Sequence, residues 1–252
     1  VNREGEAARD SGGAGVGDGK DGIALAFCVA VLRPPMMGLT RRDWRGAQHL
    51  PPAGTGCVVV ANHISFFDPL VIAHFVYDNG RVPRFLVKSE LFGVFLVGRV
   101  LTGAGQIPVF RRTSEAAKAL AAAVEAVSRG ECVVVYTEGT ITRDPQLWPM
   151  VAKTGAARIA LTTGCPLVPV GQWGAHEVLA PYGRRVRLLP RKTMHVWAGP
   201  PVQLEDLREQ RVTPHVLRAA SDRISTAVTA LLEEIRGEQA PPERLNLEAH
   251  QR

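Results

Sequence analysis

Several absences narrow what this sequence can be. No segment approaches the roughly 18–20 consecutive apolar residues that span a bilayer. The longest apolar run, residues 23–32, is followed at once by Arg33-Pro34-Pro35. The residues before it are glycine-rich and mixed in charge, so no signal peptide is expected. Only four cysteines are present, at 28, 57, 132 and 165, with no C-x-x-C pair and no histidine at ligand spacing. That predicts no metal site, reduced thiols acting as small hydrophobes, and a cytosolic setting. Aromatic residues make up 6% of the chain and do not interleave with the basic ones. A stacking platform for nucleic acid is therefore not expected. No G-x-S-x-G elbow is found, which argues against a serine hydrolase. No internal repeat is found either.

What is present supports a sizeable core. The 252 residues are 46% hydrophobic, enough for one large α/β domain or two small ones. Lysine and arginine exceed aspartate and glutamate by 30 to 24. A basic surplus suits an anionic partner such as phospholipid headgroups or a phosphorylated small molecule, or serves solubility alone.

Residues 1–22 are rich in glycine and charge and read as a disordered tail; 237–252 read as a frayed end. Between them, 23–236 reads as one domain. Residues 23–39 suggest a short helix, interrupted by the Pro-Pro pair, lying in the core or on a membrane surface. Trp44 to Pro52 suggests a loop or short strand. Buried strands are predicted at 57–61, 83–88, 106–110, 131–136 and 167–170. Two later strands, at 186–189 and 194–198, are expected to be antiparallel. Helices are predicted at 70–77, 91–101, 113–128, within 149–163, and from Thr213-Pro214 to 236. Strands alternating with helices give an α/β fold, with a central, mostly parallel mixed sheet of about 6–7 strands flanked by helices.

The stretch Asn62-His63-Ile64-Ser65-Phe66-Phe67-Asp68-Pro69 joins the first buried strand to a helix. In one continuous helix, His63 and Asp68 would lie about 140° apart and could not meet. They can meet only across a break. Two arrangements provide one. Asp68 can be the N-cap with Pro69 at N1, or Ser65 can cap with Asp68 at N3. The first is favoured, because proline deeper in the helix loses a hydrogen bond. A carboxylate holding one imidazole nitrogen leaves the other to take a proton from a hydroxyl. On spacing alone, a helix cap and a loop histidine are the favoured explanation of the pair.

Further stretches change that balance. His63-x4-Asp68 resembles the first motif of the glycerolipid acyltransferases, which include the bacterial 1-acyl-glycerol-3-phosphate acyltransferases. Gly105-Gln106-Ile107-Pro108-Val109-Phe110-Arg111 resembles their second motif, with Phe110 where an aspartate is common. Tyr136-Thr137-Glu138-Gly139-Thr140 resembles the third, F-P-E-G-T-R-S, with Thr137 for proline and Ile141 for arginine. Val168-Pro169-Val170 resembles the fourth. Lys88-Ser89-Glu90-Leu91 and Lys153-x-Gly155-Ala156 resemble shorter shared stretches. The motifs come in the family's order and run from about Val58 to Gly171.

The resemblance implies acyl transfer from acyl-CoA or acyl-carrier protein to a hydroxyl of lysophosphatidic acid or a related lysophospholipid. Under it, His63 is the general base and Asp68 orients the imidazole. Lys88, Arg111 and Arg143 hold the acceptor phosphate, with Arg143 standing in for the arginine that Ile141 replaces. Glu138, Gly139 and Thr140 position the glycerol, and Gly139 would let its N–H approach an oxyanion. Without the resemblance, Glu138 reads as a solvated turn residue. No cofactor or metal is implied, and the acyl carrier is a co-substrate. Apolar products imply a peripheral position on the cytoplasmic face of the inner membrane, with residues 23–39 and 91–101 as contacts. The departures at Phe110, Thr137 and Ile141 leave room for another acceptor, such as a glycosylated phospholipid. A non-catalytic lipid-binding module is the rival of a different class.

Overall fold

Two nearly identical segments, Cys57–Ala61 (β2) and Cys132–Tyr136 (β5), lie side by side in parallel register, Cys57 opposite Cys132 and Ala61 opposite Tyr136. Both are runs of valine, whose branched side chains fit a pleated surface buried on both faces. All five residues of β2 are fully buried. Each such valine contributes about 1.5–3 kcal/mol by leaving water. The computed structural model describes residues 20–109 and 113–247.

Around this pair the sheet has seven strands. The others are Thr40–Arg45 (β1), Pro83–Lys88 (β3), Ile107–Val109 (β4), Leu167–Trp173 (β6) and Lys192–Ala198 (β7). Their order is β1-β7-β6-β2-β5-β3-β4. Strands β2 to β6 run parallel; β7 is antiparallel to β6, and β1 is parallel to β7. The predicted mostly parallel α/β sheet is observed.

Helices cover both faces. Lys20–Leu39 (α1) and Asp68–Asp78 (α2) lie on one side, where Met36, Val71, Ile72 and Phe75 meet Val59, Ala61 and Val134. Phe95–Gly103 (α3) packs against α1. Thr113–Ser128 (α4), Gly155–Thr163 (α5) and Pro214–Arg236 (α8) cover the other face, where Ala123, Ala160 and Ile224 meet Val58, Val60 and Val133. Two single turns, Ala175–Val178 (α6) and Glu205–Arg208 (α7), complete the set. A Cβ on Gly171 of β6 would lie 2.8 Å from the Leu231 side chain, so only glycine lets α8 approach the sheet this closely.

Several expectations are corrected. Helix α1 continues through Pro34 and Pro35 instead of breaking there. Residues 91–101 are not one helix: a 3₁₀ turn, Ser89–Gly93, gives way at the extended Val94 to α3. Residues 186–189 form no strand, only an isolated bridge between Val186 and Leu179. Both edges of β7 are already taken, by β6 and by β1. The partner on the outer edge is β1, a polar segment from the other end of the chain. Residues 1–19, most of the expected tail, lie outside the described residues.

Candidate active site

The carboxyl ends of parallel strands are where α/β sheets present their chemistry, and the His63 loop leaves β2 at that rim. Its first residue is fastened to β6. Asn62 Nδ2 donates to Gln172 O (3.1 Å), Gln172 N donates to Asn62 Oδ1 (2.9 Å), and Gln172 Nε2 donates to Asn62 O (2.9 Å). His63 O accepts from Thr142 N at 2.7 Å. Ser65 Oγ donates to Leu179 O at 2.6 Å and accepts from Phe67 N at 3.0 Å. The loop is thus held from three directions before the helix begins.

Within it, His63 Nδ1 lies 2.8 Å from Asp68 Oδ2. The same oxygen accepts from Ile64 N (2.6 Å) and Ser65 N (2.8 Å). Asp68 opens α2, with Phe67 before it and Pro69 in its first turn, so the break exists. The favoured cap arrangement is nonetheless corrected. The Asp68 carboxylate turns back to the loop, as the third residue of a capping box does, while helix α2 starts without a side-chain cap. The backward reach is what brings it to the imidazole.

The Asp68 side chain is fully buried, and Oδ1 has no hydrogen-bond partner. Burial pushes its carboxyl above the ordinary value, against the pull of His63 and the two backbone donors. Nδ1 is assigned as the proton donor to this acceptor, which leaves Nε2 with its lone pair. His63 is 14% exposed, enough for one side to be approached. Tyr136, at the end of β5, stacks on the imidazole with ring centroids 4.1 Å apart and planes 14° apart. The Tyr136 hydroxyl is buried without a partner, and burial followed by the Asp68 charge pushes its pKa well up.

Ile64, Ser65, Phe67 and Asp68 all spend their N–H groups inside the loop. Among the described residues nothing accepts from Phe66 N–H. The expected role of Gly139 N–H is corrected, because it donates to Tyr136 O at 3.1 Å. Gly139 adopts φ 67°, the left-handed turn that glycine adopts at least cost, with the Lys153 side chain packed beside it.

Glu138 is 2% exposed, which overturns the solvated reading. Its Oε2 accepts from Met150 N at 3.1 Å and Oε1 has no partner. Burial raises its pKa to about 8, against the hydrogen bond from Met150 N and the lesser pull of the nearby His63 backbone and Thr142 hydroxyl. Thr140 is half-buried on the following turn, and Ile141 is 2% exposed where the resemblance has an arginine. Arg143 is exposed and lines a cavity of about 460 Å³ with Thr142, Leu147 and Tyr182. Tyr182 also contacts Phe66 of the His63 loop edge-on, at 6.2 Å. Lys88 stands exposed at the end of β3, on the same rim. Arg111 lies outside the described residues. No three metal-ligating side chains cluster among the described residues.

The sequence reading missed Gln172, Thr142 and Tyr182. Their contacts link segments far apart in the chain, and only the apolar run into β6 hinted at the first.

A family description, Acyltransferase, matches residues 41–173. The chain is similar to chloroplastic 1-acyl-sn-glycerol-3-phosphate acyltransferases of Brassica napus (31% identical over 140 residues) and Arabidopsis thaliana (27% over 158). Those matches cover 55% and 60% of this chain and 39% and 42% of the relatives, so the chain spans about two fifths of their length. The crystal structure of the 1-acyl-sn-glycerophosphate (LPA) acyltransferase PlsC from Thermotoga maritima shares the fold, with a TM-score of 0.66 at 24% identity over 86% of this chain and 81% of that one.

Proposed function

The chain belongs to the acyltransferase family, and from that premise we propose that it moves a fatty acyl chain from a thioester to a hydroxyl of lysophosphatidic acid or a closely related lysophospholipid. The observation that carries this reading is the 2.8 Å contact that turns one face of His63 to Asp68 and leaves the other for a substrate. His63 Nε2 takes the hydroxyl proton as the oxygen attacks the thioester carbon. The imidazolium that forms is stabilised by Asp68. The carbonyl oxygen gains negative charge, for which Phe66 N–H is the donor left in the loop. Collapse of the intermediate expels the thiolate, which recovers the proton from His63. The new ester and the free thiol of CoA or carrier protein are the products.

Arg143 lies on the cavity beside the loop and Lys88 on the same rim, both exposed. Both are proposed to hold the acceptor phosphate, as is Arg111. Glu138 acts from within the fold: its buried carboxyl accepts from Met150 N close to the His63 loop. Thr140 contributes on the turn above it.

The acceptor and the product are lipids, so the enzyme is proposed to work at the membrane surface, on the cytoplasmic face. No helix among the described residues is long and apolar enough to cross a membrane. Helix α1 exposes Phe27, Val31 and Leu32, and the adjoining segment exposes Val94, Phe95 and Leu96. Apolar side chains so placed suit insertion at the headgroup boundary.

Thiol release from acyl-CoA, measured with and without lysophosphatidic acid and with products identified by mass, tests the function. Release only with acceptor, and a mass gain of one acyl chain, is expected. Equal release without acceptor would mean a hydrolase, and no release under either condition would favour a lipid-binding module.

A further inference from the structure

We propose that residues 179–192 form a preformed surface for anionic phospholipid headgroups, one that holds the His63 loop against the bilayer. The inference rests on the reading that the acceptor is a membrane lipid. Its first support is position. At one end, Leu179 O accepts the Ser65 hydroxyl at 2.6 Å, and Tyr182 Oη donates to Ile141 O at 2.7 Å. At the other end, Arg191 donates to Met37 O (3.0 Å) and Thr40 O (2.8 Å), where α1 ends. The segment therefore runs from the site loop to the helix with the exposed apolar face.

Its second support is charge. The segment carries Arg184, Arg185, Arg187, Arg191 and Lys192 and no acidic residue. Arg184, Arg185 and Arg187 are exposed, with no side-chain hydrogen bond or ion pair among the described residues. Elsewhere exposed arginines such as Arg33, Arg129 and Arg223 hold a carboxylate, while Arg41, Arg158, Arg211 and Arg218 have none among the described residues but do not fall three to a four-residue stretch. Three arginines within four residues, none paired with a carboxylate among the described residues, suit phosphate.

Its third support is the apolar residues set among them. Val186 is 59% exposed and Leu189 is 74% exposed. Arginine alternating with aliphatic side chains matches a bilayer's edge, where phosphate overlies acyl chain. The segment is also ordered in advance. Arg187 N donates to Val178 O at 2.7 Å, and Leu179 and Val186 form an antiparallel bridge. Tyr182 keeps a left-handed backbone, φ 56°, held by its hydroxyl bond and its contact with Phe66.

The test is co-sedimentation of the full chain with phosphatidylcholine vesicles, with and without phosphatidylglycerol. Replacing Arg184, Arg185 and Arg187 together by alanine is expected to weaken partition onto the anionic vesicles on the order of 100-fold. The lysine triple variant is expected to retain it, and added salt to weaken the wild type. Circular dichroism checks that each variant is folded. An alanine variant that partitions like the wild type overturns the proposal. So does unchanged vesicle binding with turnover lost only when an acyl-carrier protein is the donor, which would make this face a protein dock. Vesicle binding is scored without turnover, so an inactive wild type counts against the transferase reading and leaves this result standing.

Discussion

His63–Asp68 and His195–Asp43 are both contacts of 2.8 Å between an imidazole Nδ1 and a carboxylate Oδ2. Their surroundings differ. Asp68 has no exposed surface, and its burial drives the carboxyl above the ordinary value. Asp43 is 28% exposed. There, partial burial pushes up, but hydrogen bonds from His195, Trp197 and Arg45 outweigh it and hold the carboxyl below the ordinary value. The first pair sits on a loop at the carboxyl ends of parallel strands, next to a cavity. The second joins β1 and β7 at the outer edge of the sheet, where Arg45 also stacks on Trp197. The same distance thus accompanies the proposed base in one place and the pinning of an edge strand in the other. What separates them is burial and position, not geometry of contact.

The comparison can be broken most sharply at the carboxylates. Asp68→Asn is expected to lower kcat by about 100- to 10,000-fold, since the amide no longer favours the imidazolium. Asp43→Asn is expected to leave turnover within about twofold. Comparable losses from both, measured as thiol release with acceptor, would erase the distinction.

Stability sharpens it next. Asp68→Ala strips the partner from His63 and from two buried N–H groups, at an expected cost of about 3–5 kcal/mol in urea unfolding. Asp43→Ala faces solvent on one side and should cost no more than about 1 kcal/mol.

A smaller effect concerns Glu138, which is buried near the first pair and has no counterpart at the second. Its pKa of about 8 exceeds that of an unfolded glutamate, ordinarily 4.5. The folded state therefore binds more protons between those values, and stability falls as pH rises through that window. The expected slope is about 1.4 kcal/mol per pH unit from this group. Glu138→Gln should remove that slope while other groups keep theirs. Urea midpoints from pH 5 to 8 for both proteins would show it; parallel curves would contradict it.

The smallest effect is expected for His195→Ala, with turnover within about twofold of wild type at saturating acceptor.

Much of the fold was legible in the sequence because its signals are local. The valine runs of β2 and β5, the Gly164 stop after α5 and the Thr213-Pro214 start of α8 all lie where the pattern puts them. Strand β1 was not legible. Its residues, Thr-Arg-Arg-Asp-Trp-Arg, carry no apolar run, and its strand character comes from pairing with β7 about 150 residues away. The meeting of His63 with Asp68 was legible as a requirement for a break; its form follows the second arrangement offered, with Asp68 turned back to Ser65 N–H, and not the favoured one. Nothing local distinguishes a carboxylate that caps its own helix from one that turns back to the loop. Glu138 was legible as a motif residue, yet its burial depends on Met150 and the loop above it. The lock between Asn62 and Gln172 joins strand ends with no shared local pattern.

The most direct test is single-turnover acyl transfer to lysophosphatidic acid by the folded His63→Ala protein beside the wild type. The account predicts a rate at least about 100-fold lower, with acyl-CoA binding retained. A folded His63→Ala protein that transfers the acyl chain at the wild-type rate would contradict it.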